Sequence, residues 1–178
     1  MKQIILAIDP GKSNGGVAYS MNGRTYASDI PQGTAEFQDF LQYLKQNGDV
    51  FCFMEKVNAY VGDSSAPGKN INIAKLLEQA SALQTVLKIE KIPFVLVAAI
   101  SWQSAMNLVD RRRNKAPESV TEKKNRHKEL AQKYYPHIKV THKTSDALLI
   151  LTFGKIKLDT DRKWITERVP KPVAAKLF

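Results

Sequence analysis

Five short strand-like segments dictate what this chain can fold into. The first covers residues 3–8, with Ile4, Ile5, Leu6, Ala7 and Ile8, and stops abruptly at Asp9-Pro10-Gly11. Runs at 15–20 and 24–28 follow, separated by Asn22-Gly23, a dipeptide that readily adopts the positive φ angles of a two-residue hairpin turn. The last two, at 50–57 and 93–100, are each reached through a stretch with helical spacing. Strands joined by turns can lie as an antiparallel meander. Strands reached through crossovers run parallel to their neighbour. The pattern therefore predicts an α/β domain around a mixed sheet, the first three strands as a meander and the last two parallel to the first.

The helices read as follows. Thr34 caps a helix to Gln46 whose apolar face is Phe37, Phe40, Leu41 and Leu44, stopped by Asn47-Gly48. A long helix runs over 70–91 with Ile73, Leu76, Leu77, Ala80, Leu83 and Leu87 at helical spacing. Its apolar arc also takes in Ile71 and Val86, wide enough to face both the sheet and a second subunit. Ser101-Trp102 starts a short helix ending near Leu108. Further helices are expected over 121–134 and 145–156. Residues 62–68 read as a loop, and so does the basic stretch from Asp110 that carries Arg111, Arg112, Arg113 and Lys115. The domain is expected to span residues 1–158, with a basic, proline-containing tail over 159–178.

Charge narrows the function. Lys and Arg number 27 against 17 Asp and Glu, giving a formal charge of +10. Neutralising a phosphate backbone releases counterions, so a polyanion is the natural partner, although charge of this size also serves solubility. Cys52 is the single cysteine. No internal disulfide can form, which suits a reducing cytoplasm, and Phe51 and Phe53 mark it as a core residue. The run at 4–8 is too short for a secretion signal, and no stretch approaches the length of a membrane span. A cytoplasmic protein without a membrane partner is expected.

Three carboxylates stand where this sheet can gather them: Asp9 at the end of the first strand, Glu55 late in the fourth, and Asp146 opening the last helix. Asp9 and Glu55 interrupt apolar strands, where a lone carboxylate is costly to bury. Binding of hard cations makes that burial tolerable, and two such ions can clamp the oxygens of a phosphodiester. Each residue alone has a plainer reading. Asp9 can form a turn, Glu55 can pair with a basic residue, and Asp146 can simply complement the helix macrodipole. The case rests on all three occurring together in a strongly basic α/β chain.

At these residues the sequence resembles the RuvC-type Holliday junction resolvases of the ribonuclease H-like superfamily, particularly their phage-type relatives. The resemblance covers about residues 3–156. It is carried by Ile5-Leu6-Ala7-Ile8-Asp9-Pro10-Gly11-Lys12-Ser13 with Gly15-Gly16-Val17-Ala18-Tyr19, by Met54-Glu55-Lys56-Val57, and by Thr144-Ser145-Asp146-Ala147-Leu148-Leu149-Ile150. Trp102-Gln103, Lys123-Lys124 and Tyr134-Tyr135-Pro136 are also similar to the phage-type pattern. The resemblance implies a ribonuclease H-like five-stranded mixed sheet with helices on both faces, a homodimer, and four-way or branched DNA as substrate. It implies Asp9, Glu55 and Asp146 as catalytic ligands of two Mg²⁺ ions, with Mn²⁺ as substitute and no nucleotide cofactor. Paired nicks would then leave 5′-phosphates and 3′-hydroxyls.

The chain departs from that pattern in two places. The usual fourth ligand position, three residues before the last Asp, holds Lys143, with His142 one residue earlier. His142 is a loop residue that is either solvated or swings in as a ligand, one better suited to Mn²⁺ than to Mg²⁺. Where the family often carries an aromatic wedge this chain has Asn58, and Tyr60 is the nearest aromatic residue able to stack on a base. Lys12, Lys69, the Arg111-Arg112-Arg113 run and Lys143 are candidate phosphate contacts. Three other readings compete. An actin-like ATPase needs two such domains, more than this chain supplies, and a ribosomal-RNA-processing relative is usually shorter. A junction-binding protein that does not cut is the third, motivated by Lys143.

Overall fold

A computed structural model of the chain describes residues 2–11, 15–58, 69–109 and 118–169, with only the backbone at 69 and 70. The elements are β1 (Gln3–Asp9), β2 (Gly16–Met21), β3 (Arg24–Asp29), α1 (Thr34–Asn47), β4 (Asp49–Lys56), α2 (Lys69–Ile89), β5 (Phe94–Ala98), α3 (Ala99–Ala105), α4 (Val120–Tyr134), α5 (Ser145–Thr160) and α6 (Arg162–Thr166). The sheet order is β3-β2-β1-β4-β5. β1, β2 and β3 form the expected antiparallel meander, closed at Asn22 and Gly23 with φ angles of 54° and 76°. β4 lies parallel to β1, and β5 parallel to β4.

The period of two along each strand splits the core into two layers. Ile4, Leu6 and Ile8 of β1, with Val50, Cys52 and Met54 of β4, meet Phe37, Leu41 and Leu44 of α1 and Leu83, Val86 and Leu87 of α2. The alternate residues Ala7, Ala18, Phe53 and Val95 face the other way, under α5, with Trp102 of α3 and Ala131 of α4 completing that layer. Small residues let α5 approach the sheet. A Cβ on Gly154 would come within 2.5 Å of the Phe53 ring. Cys52 is fully buried, and that burial pushes its thiol well above the ordinary range, as befits a core residue.

Several boundaries differ from the sequence reading. Thr34 is the first residue of α1 and not its cap; Gly33, at φ 90°, occupies the N-cap. α4 begins one residue earlier than expected, at a reciprocal capping box between Ser119 and Glu122. α5 runs past Leu158, the expected domain boundary, to Thr160. Asp161 then caps α6 by accepting from the Trp164 N–H at 3.1 Å, and Ile165 is buried against the domain. On α2, Val86 faces the core while Ile71 is 62% exposed. Among the described residues no helix is long and apolar enough to cross a membrane.

Candidate active site

The same alternation that buries Ala7 and Phe53 under α5 turns Asp9 and Glu55 to that face, since each lies two residues further along its strand. The parallel register pairs Ile8 with Met54, so Asp9 and Glu55 follow on neighbouring strands at the carboxyl end of the sheet. On the other side of β1, Asp9 stands opposite Gly16 of β2. The start of α5 closes over this point. A Cβ on Gly16 would lie 2.2 Å from the Lys143 carbonyl oxygen and 3.1 Å from the Thr144 Cα. That close approach brings Asp146, in the first turn of α5, to the two strand carboxylates.

The electrostatics register the crowding. Burial raises the Asp9 carboxyl well above its usual range, and the charges of Glu55 and Asp146 raise it further; the Gly11 N–H and Lys124 oppose the shift. Burial likewise pushes Glu55 up to about 7, against the Trp102 hydrogen bond, with Asp146 adding to the rise and Lys123 and His127 opposing it. Lys123 and Lys124 are exposed on α4.

Each carboxylate has one oxygen engaged by the protein. The Gly11 N–H donates to Asp9 Oδ1 at 3.3 Å. Trp102 Nε1 donates to Glu55 Oε2 at 2.8 Å. His127 Nδ1 lies 2.8 Å from Asp146 Oδ1, which also accepts from the Ser145 hydroxyl at 3.4 Å. Among the described residues no protein hydrogen bond reaches the other oxygen of any of the three.

The donor set fits a hard divalent cation: three carboxylates, crowded enough to raise two of their pKa values, each with an oxygen to spare. As the side chains stand, no group of three His, Cys, Asp or Glu among the described residues is placed to hold a metal ion by itself. That is compatible with Mg²⁺, which commonly takes only one or two protein carboxylates and fills its octahedron with water and phosphate.

The remaining candidates fall out differently. His142 is exposed. Its carbonyl accepts from the Ser145 hydroxyl at 3.4 Å, and no hydrogen bond reaches its ring among the described residues. The imidazole beside Asp146 is that of His127, which the sequence reading did not single out. The available signal was a histidine on the apolar side of α4, one turn before buried Ala131. The Lys143 ammonium pairs with Asp29 at 2.6 Å. Lys12, Tyr60, Arg111, Arg112 and Arg113 lie outside the described residues, as does the Lys69 side chain at the start of α2.

No family model matches the chain, and no curated protein matches it in sequence. Solved structures do. RuvC of Thermus thermophilus superposes with a TM-score of 0.56 at 11% identity, covering 89% of this chain and 96% of that one. The fold is RuvC-like. A second structure, T. thermophilus RuvC in complex with Holliday junction substrate, gives a TM-score of 0.55 over the same shares, also at 11% identity. The five-stranded mixed sheet with helices on both faces is thus ribonuclease H-like.

Proposed function

We propose that this protein is a structure-selective endonuclease that resolves Holliday junctions and related branched DNA, of the phage-like branch of RuvC-type resolvases and acting as a homodimer. The observation that carries the reading is the convergence of Asp9, Glu55 and Asp146 at the carboxyl end of the sheet, in a chain whose formal charge is +10. The RuvC-like fold, seen with junction DNA in the T. thermophilus protein, supports the choice of substrate.

Asp9, Glu55 and Asp146 would hold two Mg²⁺ ions, or Mn²⁺ in their place. Bound there, the ions supply water activation and neutralise charge building on the phosphate. In the reaction proposed, a water oxygen bonds to phosphorus and the bond from phosphorus to O3′ breaks, leaving a 5′-phosphate and a 3′-hydroxyl. Lys123 and Lys124 of α4 lie close enough for their charges to be felt by Glu55 and Asp9, which suits them to hold the backbone of the strand being cut. Lys12, Tyr60, Lys69 and the Arg111-Arg112-Arg113 run would extend the DNA-binding surface. His142, exposed, is the weaker candidate for an added metal ligand.

Lys143 motivates the second reading, a junction-binding protein with little or no cutting. Its ion pair with Asp29 favours the nuclease, because a lysine held there does not compete with cations for the carboxylates. The deciding experiment is cleavage of an end-labelled four-way junction beside a linear duplex of the same arms, in Mg²⁺ and separately in Mn²⁺. Paired symmetric nicks in the junction alone are expected. Tight binding without nicks in either metal would replace the nuclease by the architectural reading, and no preference for the junction would remove both.

A further inference from the structure

We infer that Trp102 and His127 form an aromatic brace whose ring N–H groups fix Glu55 and Asp146 for cation binding. The inference rests on the metal-dependent reading above and deepens it: both are positioning residues, acting through the carboxylates they hold.

Four elements meet in this brace. Trp102 on α3 donates to Glu55 on β4, and His127 on α4 contacts Asp146 on α5, both at 2.8 Å. The two rings pack edge to face with centroids 5.3 Å apart and planes at 73°. Trp102 is fully buried and His127 is 2% exposed. Neither ring can swing away without opening the core layer beneath α5, so the carboxylates are tied to a rigid object. Glu55 and Asp146 share no element, and this ring pair provides a packed connection between them.

The chemistry of the contacts points the same way. An indole N–H can only donate. A carboxylate that holds a cation has no proton to give, so the hydrogen between His127 and Asp146 belongs to Nδ1. Nε2 is the one buried side-chain nitrogen or oxygen without a partner among the described residues. Leaving a buried polar atom unpaired costs about 1–3 kcal/mol. An aliphatic side chain would fill the space under Trp102 without that cost. The contact that only an imidazole makes here is the one from Nδ1 to Asp146.

Each brace contact also takes a single oxygen, Oε2 of Glu55 and Oδ1 of Asp146. A donor on one oxygen fixes the carboxylate plane and aims the other oxygen. Partners of this kind around metal ligands typically carry about 10–100-fold in metal affinity.

The test is calorimetric titration of Mn²⁺, without DNA, into the wild-type protein, Asp9→Asn, Trp102→Phe, His127→Leu and His127→Asn. Each metal-free variant is checked by its melting transition. Phe keeps an aromatic ring and loses the donor. Leu fills space and donates nothing. Asn is smaller than Leu, yet its amide N–H sits near the place of Nδ1. Trp102→Phe and His127→Leu should weaken Mn²⁺ binding about 10–100-fold, and His127→Asn should bind more tightly than His127→Leu. A role in packing alone would rank Leu at or above Asn, and that ranking would overturn the brace. So would wild-type affinity in folded Trp102→Phe and His127→Leu. Failure of the metal site itself looks different: wild type and Asp9→Asn would then take up Mn²⁺ alike, or not at all.

Discussion

Gly16 stands opposite Asp9 in the β1–β2 register, and its missing side chain is what admits the backbone of Lys143 and Thr144 beside that carboxylate. Gly16→Ala would place a Cβ 2.2 Å from the Lys143 carbonyl oxygen, a distance that backbone atoms must move to relieve. Overpacking of this kind costs about 1–3 kcal/mol. Because the displaced backbone is the entry to α5, Asp146 should move with it. The expected outcome is a folded variant with a lowered melting temperature and junction cleavage reduced well beyond the loss of folded protein. Activity per folded molecule equal to wild type would show that α5 does not need this approach.

Much of this geometry is legible in the sequence, and the reason is periodicity. Alternation along residues 3–8 and 50–57 tells which side chains share a face, and Asp9 and Glu55 continue the face of Ala7 and Phe53. What the sequence hides are contacts between elements without a repeating pattern. Trp102 lies 47 residues from Glu55, and His127 lies 19 from Asp146. Neither spacing means anything until the helices are packed. α6 was hidden for another reason. Its buried contribution is little more than Ile165, with Trp164 against Phe153, set among basic residues that read as a tail. The α1 cap misled because Thr34 has the favoured side chain, while Gly33 has the backbone freedom that the tight turn at φ 90° requires.

Asp9→Asn should abolish junction cutting in both Mg²⁺ and Mn²⁺ while leaving junction binding near wild type. On the proposed reading the substitution removes a metal ligand and not a phosphate contact. It also removes a buried charge crowded by Glu55 and Asp146, so the metal-free variant should melt higher than metal-free wild type at neutral pH. Gel-shift binding, cleavage of labelled junctions and thermal melting in chelator test the three parts. Retained cleavage would sink the assignment of Asp9.

Glu90 locks α1 to the end of α2, accepting from Gln38 at 2.7 Å and Gln42 at 3.0 Å and pairing with Lys45 at 2.9 Å. The Lys45 contact first, then the two glutamines, pull its carboxyl down from the ordinary 4.5 to about 2. A folded-state value below the unfolded one means stability that is fully present above pH 4.5 and is lost as pH falls through 2. Glu90→Gln should therefore melt below wild type at pH 7, with the gap closing between pH 4.5 and 2. A gap that stays constant across that window would show that the charge at Glu90 does not stabilise the fold.

The basic residues divide into two groups that salt dependence can separate. Lys123 and Lys124 are exposed on α4, close enough to act on Glu55 and Asp9, so phosphates they touch belong to the strand at the carboxylates. Arg111, Arg112 and Arg113 lie outside the described residues and are proposed as backbone contacts that add affinity without serving the cut itself. Each phosphate neutralised contributes about 0.9 to the slope of log affinity against log salt on duplex arms. Neutralising Lys123 and Lys124 together should flatten the slope by up to about 2 and slow cutting even when the junction is saturated. Neutralising the three arginines should flatten it by up to about 3 and leave cutting at saturation near wild type. Binding measured between 50 and 200 mM salt (about the range over which such slopes are read) tests the first half of each statement, and single-turnover cleavage at saturating protein tests the second. An unchanged slope for the arginine variant would show that this run does not touch DNA. Unimpaired saturated cleavage by the lysine variant would remove α4 from the scissile strand and leave its basic face to electrostatic steering.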